Sequence, residues 1–141
     1  MAGARILVFR IAELLCGAEV TAVREILPRQ EATRVPGAPG AVTGIINVRG
    51  QLLPLVDGRR ALGQSPAADR GSIVLLEVDG QTVGFTVDEV LDLFAVSADD
   101  LSDSGDLPGV DPGVVRAVGR RGGESFVLLD FDALLDPIIS V

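Results

Sequence analysis

The chain has 141 residues, 12 of them basic and 20 acidic, for a formal net charge of −8. It contains no His, Lys, Tyr or Trp, so every basic residue is Arg. That inventory excludes Ser–His–Asp and Cys–His catalysis, His-ligated metals, a Walker-type phosphate loop and a Schiff-base lysine, and a net-acidic chain without Lys is a poor ligand for nucleic acid.

Seventeen Gly and eight Pro fall between short apolar runs, the pattern of a turn-rich, mostly β fold. No apolar stretch approaches the roughly 18 residues of a spanning helix, so no membrane insertion is expected. The first strand is predicted at Arg5–Ile11, in an opening segment interrupted by Arg10 and Glu13. Those charges argue against both a signal peptide and a lipidated Cys16. One cysteine makes no internal disulfide, so Cys16 reads as a small buried hydrophobe in a cytoplasmic protein. A helical turn near Glu19–Val23 leads into a strand at Arg24–Leu27. Pro36, Pro39 and Gly40 then fix an irregular entry to strands at Gly44–Val48 and Gln51–Val56, which meet at a tight Arg49-Gly50 turn. Pro54 cannot donate to a ladder, so its strand is expected at an edge or with a bulge. A short helix is expected at Arg59–Leu62, followed by a connector, Gln64–Gly71. Beyond it come strands at Ser72–Val78 and Thr82–Val87, joined through Asp79-Gly80, a pair that tolerates the positive φ of a type I′ turn. Strands at Asp92–Val96, Val115–Arg120 and Ser125–Asp130 and a helical piece at Phe131–Leu135 complete the series.

The two halves resemble each other. Gly17, Val20, Val23, Glu25 and Ile26 match Gly84, Val87, Val90, Asp92 and Leu93 at a constant offset of 67, and Leu53, Leu55 and Asp57 match Phe126, Leu128 and Asp130 at 73. We read one domain over residues 1–141, with pseudo-repeat halves at about 5–63 and 72–135. Each half is too small to bury a good core alone, so the two are expected to share one and to meet in a groove. Charge divides unevenly between them, with nine Arg against six acids in residues 1–70 and three against fourteen in residues 71–141.

The remaining chemistry is sparse. Carboxylates cluster at Asp88-Glu89, Asp99-Asp100 and Asp130-x-Asp132, but neighbours in one acidic run share an environment and make a poor acid–base pair. The segment from Asp100 through Ser102, Ser104 and Gly105 to Asp111 imitates a calcium loop, with Ser at its third and fifth positions and Asp at its twelfth. A calcium-binding β module is therefore an alternative reading; no cofactor and no metal are expected under the main one.

The most informative stretch is Val35–Asp57, VPGAPGAVTGIINVRGQLLPLVD. Arg49, at a turn between two apolar strands, offers a fixed fork of donors suited to a partner's carboxylate or carbonyls. It also reads as a solvated turn residue or a partner of Asp57. This stretch closely resembles the core signature of CheW-like domains, which occur in the coupling protein of bacterial chemotaxis and in the regulatory domain of its histidine kinase. Val23-Arg24-Glu25-Ile26 is similar to the family's V-x-E-[I/V] strand, Gly84–Val90 to its G-x-x-V-D-x-V segment, and Phe126–Asp132 with Leu134-Leu135 to its closing strand and helix.

The resemblance implies two intertwined five-stranded SH3-like β-barrels sharing a core, with few short helices. It implies a non-catalytic adaptor linking the cytoplasmic tip of a methyl-accepting chemoreceptor, bound in the groove between barrels, to the histidine kinase regulatory domain, bound edge to edge. By position, Arg49, Val23 and Glu25 correspond to receptor-binding residues, and Val42 and Ile45 to the surface that meets the kinase domain. Gly44, Asn47, Gly50, Pro54 and Asp57 belong to the structural motif. Ala41 and Gly58 replace larger apolar residues usual in the family and are expected to thin partner contact. An adaptor of another sensory system, such as surface motility, is the alternative within this class.

Overall fold

The strands form two sheets, and neither sheet belongs to one half of the sequence. A computed structural model describes residues 4–65, 71–102, 110–121 and 123–139. The strands are β1 (Ala4–Ile11), β2 (Leu14–Glu19), β3 (Val23–Pro28), β4 (Val42–Val48), β5 (Gln51–Val56), β6 (Ser72–Val78), β7 (Gln81–Val87), β8 (Glu89–Val96), β9 (Leu101–Ser102), β10 (Val115–Arg121) and β11 (Glu124–Leu129). Helix α1 spans Gly58–Ala61 and α2 spans Phe131–Ile139. One sheet runs β8-β1-β2-β11-β10-β9 and the other β3-β6-β7-β5-β4. The N-terminal hairpin β1–β2 thus sits among C-terminal strands, while β3, β4 and β5 complete the sheet of the β6–β7 hairpin. The predicted mostly β, two-barrel architecture holds, with six strands in one sheet and five in the other.

Each sheet curls on itself. Thr33 and Ile45 exchange two backbone hydrogen bonds of 2.8 Å, bringing the chain after β3 onto β4, and Ser102 of β9 stands opposite Val118 of β10 in an antiparallel pair. Parallel seams join the hairpins to their partners, Leu55 opposite Gly84 and Leu128 opposite Gly17. Alternation along the strands divides the apolar residues among three cores. Ile73 and Leu75 of β6 fill one barrel with Ile46 and Leu53, and Ile6 and Val8 of β1 fill the other with Phe126 and Leu128. The intervening Val74 and Leu76, with Leu7 and Phe9, face a common core between the sheets that also takes Phe85, Phe131 and Leu135. Phe85 and Phe131 meet edge to face at 5.2 Å there.

Four bulges recur at related places. Thr43 and Arg116 are the extra residues in β4 and β10, 73 apart, and Arg24 and Leu91 those in β3 and β8, 67 apart. Gly44 has a further reason. A Cβ there would stand 2.2 Å from the Thr33 carbonyl oxygen, so only glycine lets the closing segment approach.

Several expectations need correction. β5 is not an edge strand, since it lies between β4 and β7, and the bulge falls at Thr43 on its neighbour. Pairing with β7 begins at Leu55, one residue after Pro54, so the missing donor has no ladder partner to lose. β2 was not anticipated, because its turn, Ala12-Glu13, carries no turn residue; Ala12 adopts φ 54° and its N–H donates to Asp88 Oδ2 at 3.1 Å. The last helix continues through Pro137 to Ile139 rather than ending at Leu135. The calcium-like segment falls largely outside the described residues.

Candidate functional site

Asn47, Arg49 and Gly50 act together at the β4–β5 turn. The Asn47 side-chain oxygen accepts from Gly50 N at 2.8 Å, closing the turn, and positive φ at Arg49 (51°) and Gly50 (86°) matches the strand twist. Arg49 is thereby held at the tip of the hairpin, pointing away from its own strands. Its guanidinium reaches Glu25 on β3 as a two-pronged pair, Nη1 donating to Oε2 at 3.0 Å and Nη2 to Oε1. The partner is Glu25 and not Asp57. Asp57 instead caps α1, accepting from Arg59 N at 3.0 Å and Arg60 N at 3.3 Å. The hydrogen bonds from Arg49, aided by the charges of Arg49 and Arg24, hold the Glu25 carboxyl below its ordinary range, and Glu25 raises Arg49 in turn.

Charged contacts continue along β3. Arg24, turned outward by its bulge, pairs with Glu77 at 3.2 Å and donates to Thr82 Oγ1 at 2.9 Å, while that hydroxyl donates to Glu77 at 2.9 Å. Beyond Glu77, at the junction of the two sheets, Arg116 bridges Glu19 at 3.0 Å and Asp130 at 3.9 Å. Three shallow grooves of about 190, 370 and 260 Å³ follow this line. Arg24 and Thr82 line the first two, and Glu77 lines the second and third. The result is a continuous track of alternating sign: Arg49, Glu25, Arg24, Glu77, Arg116.

The sequence reading named Arg49 and Glu25 but missed Arg24, Glu77 and Arg116. Bulges re-aim side chains next to binding sites, as at Arg24 and Arg116, while Glu77 stands on the regular β6 and joins the track only through the pairing of β3 with β6. Val23 begins β3 and is half-buried against the common core. Val42 and Ile45 are also half-buried, with Val42 packed against that core and Ile45 paired with Thr33. Gly58, expected to thin a docking surface, is buried. Its N–H donates to Thr86 Oγ1 at 3.0 Å, and a Cβ would lie 2.1 Å from the Thr86 carbonyl oxygen. The substitution therefore shapes how α1 packs on β7. Cys16 is buried, and that burial pushes its thiol up to about 12, which makes it a poor nucleophile. Among the described residues, no three His, Cys, Asp or Glu side chains converge as metal ligands, and no helix is long and apolar enough to cross a membrane.

Residues 5–138 match the family model of the CheW-like domain. The chain belongs to that family. Chemotaxis protein CheW of Rhizobium meliloti is 33% identical to this CheW-like chain over 135 residues, covering 94% of it and 87% of the relative. Protein PilI of Pseudomonas aeruginosa is 32% identical over 97 residues, covering 67% of the chain and 54% of PilI. The crystal structure of scaffolding protein TtCheW from Thermoanaerobacter tengcongensis shares the fold, with a TM-score of 0.87 at 24% identity over 95% of this chain and 93% of that one.

Proposed function

We propose that this chain is a non-catalytic cytoplasmic scaffold coupling the cytoplasmic tips of methyl-accepting chemoreceptors to the regulatory domain of a histidine kinase. Membership of the CheW-like family and likeness to chemotaxis proteins over nearly the whole chain support the reading. The observation that carries it is the Arg49–Glu25 pair. Two residues that sequence similarity assigns to receptor binding meet in space, at one end of a charge-alternating track suited to the polar face of a helix. Arg49 and Glu25 satisfy each other in the free chain, so docking can exchange their partners without leaving a buried charge unpaired. No step in this role needs a proton-transfer group, and a chain without His or Lys is adequate to it. Val42 and Ile45 are assigned to the kinase-facing surface.

The test is a titration of the full chain against a receptor tip and a kinase regulatory domain, separately and together. Arg49→Glu is expected to abolish binding to the tip while lowering the melting temperature by only a few degrees, because the pair it breaks is surface-exposed. Unchanged affinity would remove Arg49 from the contact, and binding of wild type to neither partner would overturn the scaffold. The likeness to PilI favours one second reading, an adaptor of another sensory system such as surface motility. Recovery of a different receptor and kinase in a pull-down distinguishes the two.

A further inference from the structure

Two Asp-Gly steps occur in the chain, Asp57-Gly58 and Asp79-Gly80. An aspartyl carboxyl can close on the next backbone nitrogen, and glycine there has no side chain to obstruct the approach. The two steps lie in opposite surroundings. Asp57 accepts from Arg59 N and Arg60 N, and the buried Gly58 donates its N–H to Thr86 Oγ1 at 3.0 Å. Both reacting groups are therefore engaged. Asp79 and Gly80 instead form the exposed turn between β6 and β7, at φ 51° and 75°. Among the described residues no backbone carbonyl holds the Gly80 N–H, and a Cβ placed on Gly80 would meet nothing within 4 Å. This turn has room to rearrange where the buried step has none.

The Asp79 carboxyl meets Asp136 of α2. A hydrogen bond between the two carboxyl groups, with their like charge, keeps Asp79 protonated to higher pH than is usual. Among the described residues neither of them pairs with an Arg. On the elements packed with α2, Glu77 of β6 is held by Arg24 and Thr82, and Asp111 accepts from Gly113 N in its own turn. Asp132, one turn earlier on α2, adds only negative charge. Protonation matters because a neutral carboxyl is the form that reacts: its hydroxyl leaves as water.

We infer that Asp79-Gly80 is a site of spontaneous isomerisation to isoaspartate. The Gly80 backbone nitrogen attacks Asp79 Cγ, and the amide proton and the carboxyl hydroxyl leave together as water, closing a succinimide. Water then opens the ring. Breaking the bond from nitrogen to Cγ restores aspartate; breaking the bond from nitrogen to the Asp79 main-chain carbonyl carbon leaves isoaspartate, whose backbone runs through Cβ and Cγ. Its free carboxylate on Cα is the acceptor that an S-adenosylmethionine-dependent isoaspartyl methyltransferase recognises. The added backbone methylene disturbs the pairing of Val78 with Gln81. Gly80 and Gln81 line the middle groove of the charged track, and Thr82, next on β7, holds both Arg24 and Glu77. Isomerisation therefore weakens receptor-tip binding, a consequence that rests on the scaffold reading.

The experiment ages the full chain at neutral pH and then cuts it after Arg and Glu, which separates residues 78–89 from residues 50–59. Each fragment is scored for methyl transfer from S-adenosylmethionine by an isoaspartyl methyltransferase, and for the loss of one water that marks the succinimide. Residues 78–89 should accept severalfold more methyl groups than residues 50–59. Asp79→Glu, which keeps the charge but would need a larger ring, should leave its fragment almost unmethylated. Asp136→Ala should slow the accumulation severalfold, because Asp79 then gives up its proton more readily. Equal or absent methylation of the two fragments overturns the site, and an unchanged rate in Asp136→Ala overturns the part given to Asp136. Aged chain should bind a receptor tip severalfold more weakly than fresh chain. Unchanged affinity in a methyl-accepting sample overturns the link to the track alone. Failure of fresh chain to bind the tip overturns the scaffold reading and that link together, while the methylation result still decides the site.

Discussion

The two barrels are built alike and finished differently. Their bulges, closing pairings and parallel seams fall at matching positions, yet the bulged residue is Arg24 in one and Leu91 in the other. The residues after it are Glu25 and Ile26 in the first barrel and Asp92 and Leu93 in the second. Ile26 and Leu93 are almost equally exposed, at 44% and 45%. The backbone therefore offers the same edge twice, and only the side chains decide what it meets. The edge bearing Arg24 and Glu25 joins the charged track; the edge bearing Leu91 and Leu93 is apolar and flanked by acids. Counted by space rather than by sequence order, the charge contrast narrows. Residues 20–87, which include the β3–β7 sheet, hold seven Arg against six acids, and the remainder hold five against fourteen. The contrast between halves shifts once β1 and β2 are counted with the strands they pair with, but it survives.

The sharpest way to break the comparison is at closure. Gly44 and Ala117 occupy the same place after their bulges, but only Gly44 has a carbonyl oxygen where a Cβ would go. Gly44→Ala should destabilise the fold by about 3 kcal/mol in denaturant melts. Ala117→Gly should cost about 1 kcal/mol or less, mostly through chain entropy. Equal losses would mean that the two closures are equally tight.

A smaller effect is expected from exchanging the bulged residues. Arg24→Leu should weaken receptor-tip binding severalfold and leave the melting temperature within a few degrees, since the Arg24–Glu77 pair is surface-exposed. Leu91→Arg should change neither. Binding that responds equally to both variants would place the receptor on both edges.

The smallest effect is one of pH. The folded Glu25 carboxyl lies below its ordinary range, so its ionised form favours the native state. This contribution is fully present above the ordinary carboxylate range and is lost as pH falls through the depressed folded value. The stability difference between wild type and Glu25→Gln should therefore be present at neutral pH and vanish in acid. Asp79 has the opposite sign. A hydrogen bond and like charge from Asp136 raise it, so its contribution is lost as pH rises through that raised value, and Asp79→Asn should flatten the change. Thermal melts across the acid range check both directions.

Much of this was legible before the structure because it is local. Alternating apolar residues gave nine strands within a few residues of their ends, and Asp79-Gly80 and Arg49-Gly50 announced their turns. Leu14–Glu19 did not read as a strand, because the Ala12-Glu13 turn depends on Asp88, 76 residues away, to hold its N–H. Pairing of Arg49 with Glu25 was equally invisible, since the turn and β3 meet only when the sheet curls. Sequence similarity placed both residues in one function without placing them in contact. Gly58 shows the reverse: a departure from the family pattern suggested a weakened surface, and only packing revealed a buried helix contact.

The exchange of strands also sets an order of assembly. On a chain made from its N-terminus, the sheet of β3 to β7 has all its strands once Val87 has emerged. The other sheet does not. Its first hairpin must wait for β11, where Cys16 meets Val127, and until then Ile6 and Val8 lack Phe126 and Leu128. Long waits with exposed apolar strands invite wrong pairings. A nascent chain stalled before residue 124 should hold the β3–β7 sheet while the free edge of β2 remains open to whatever strand it meets.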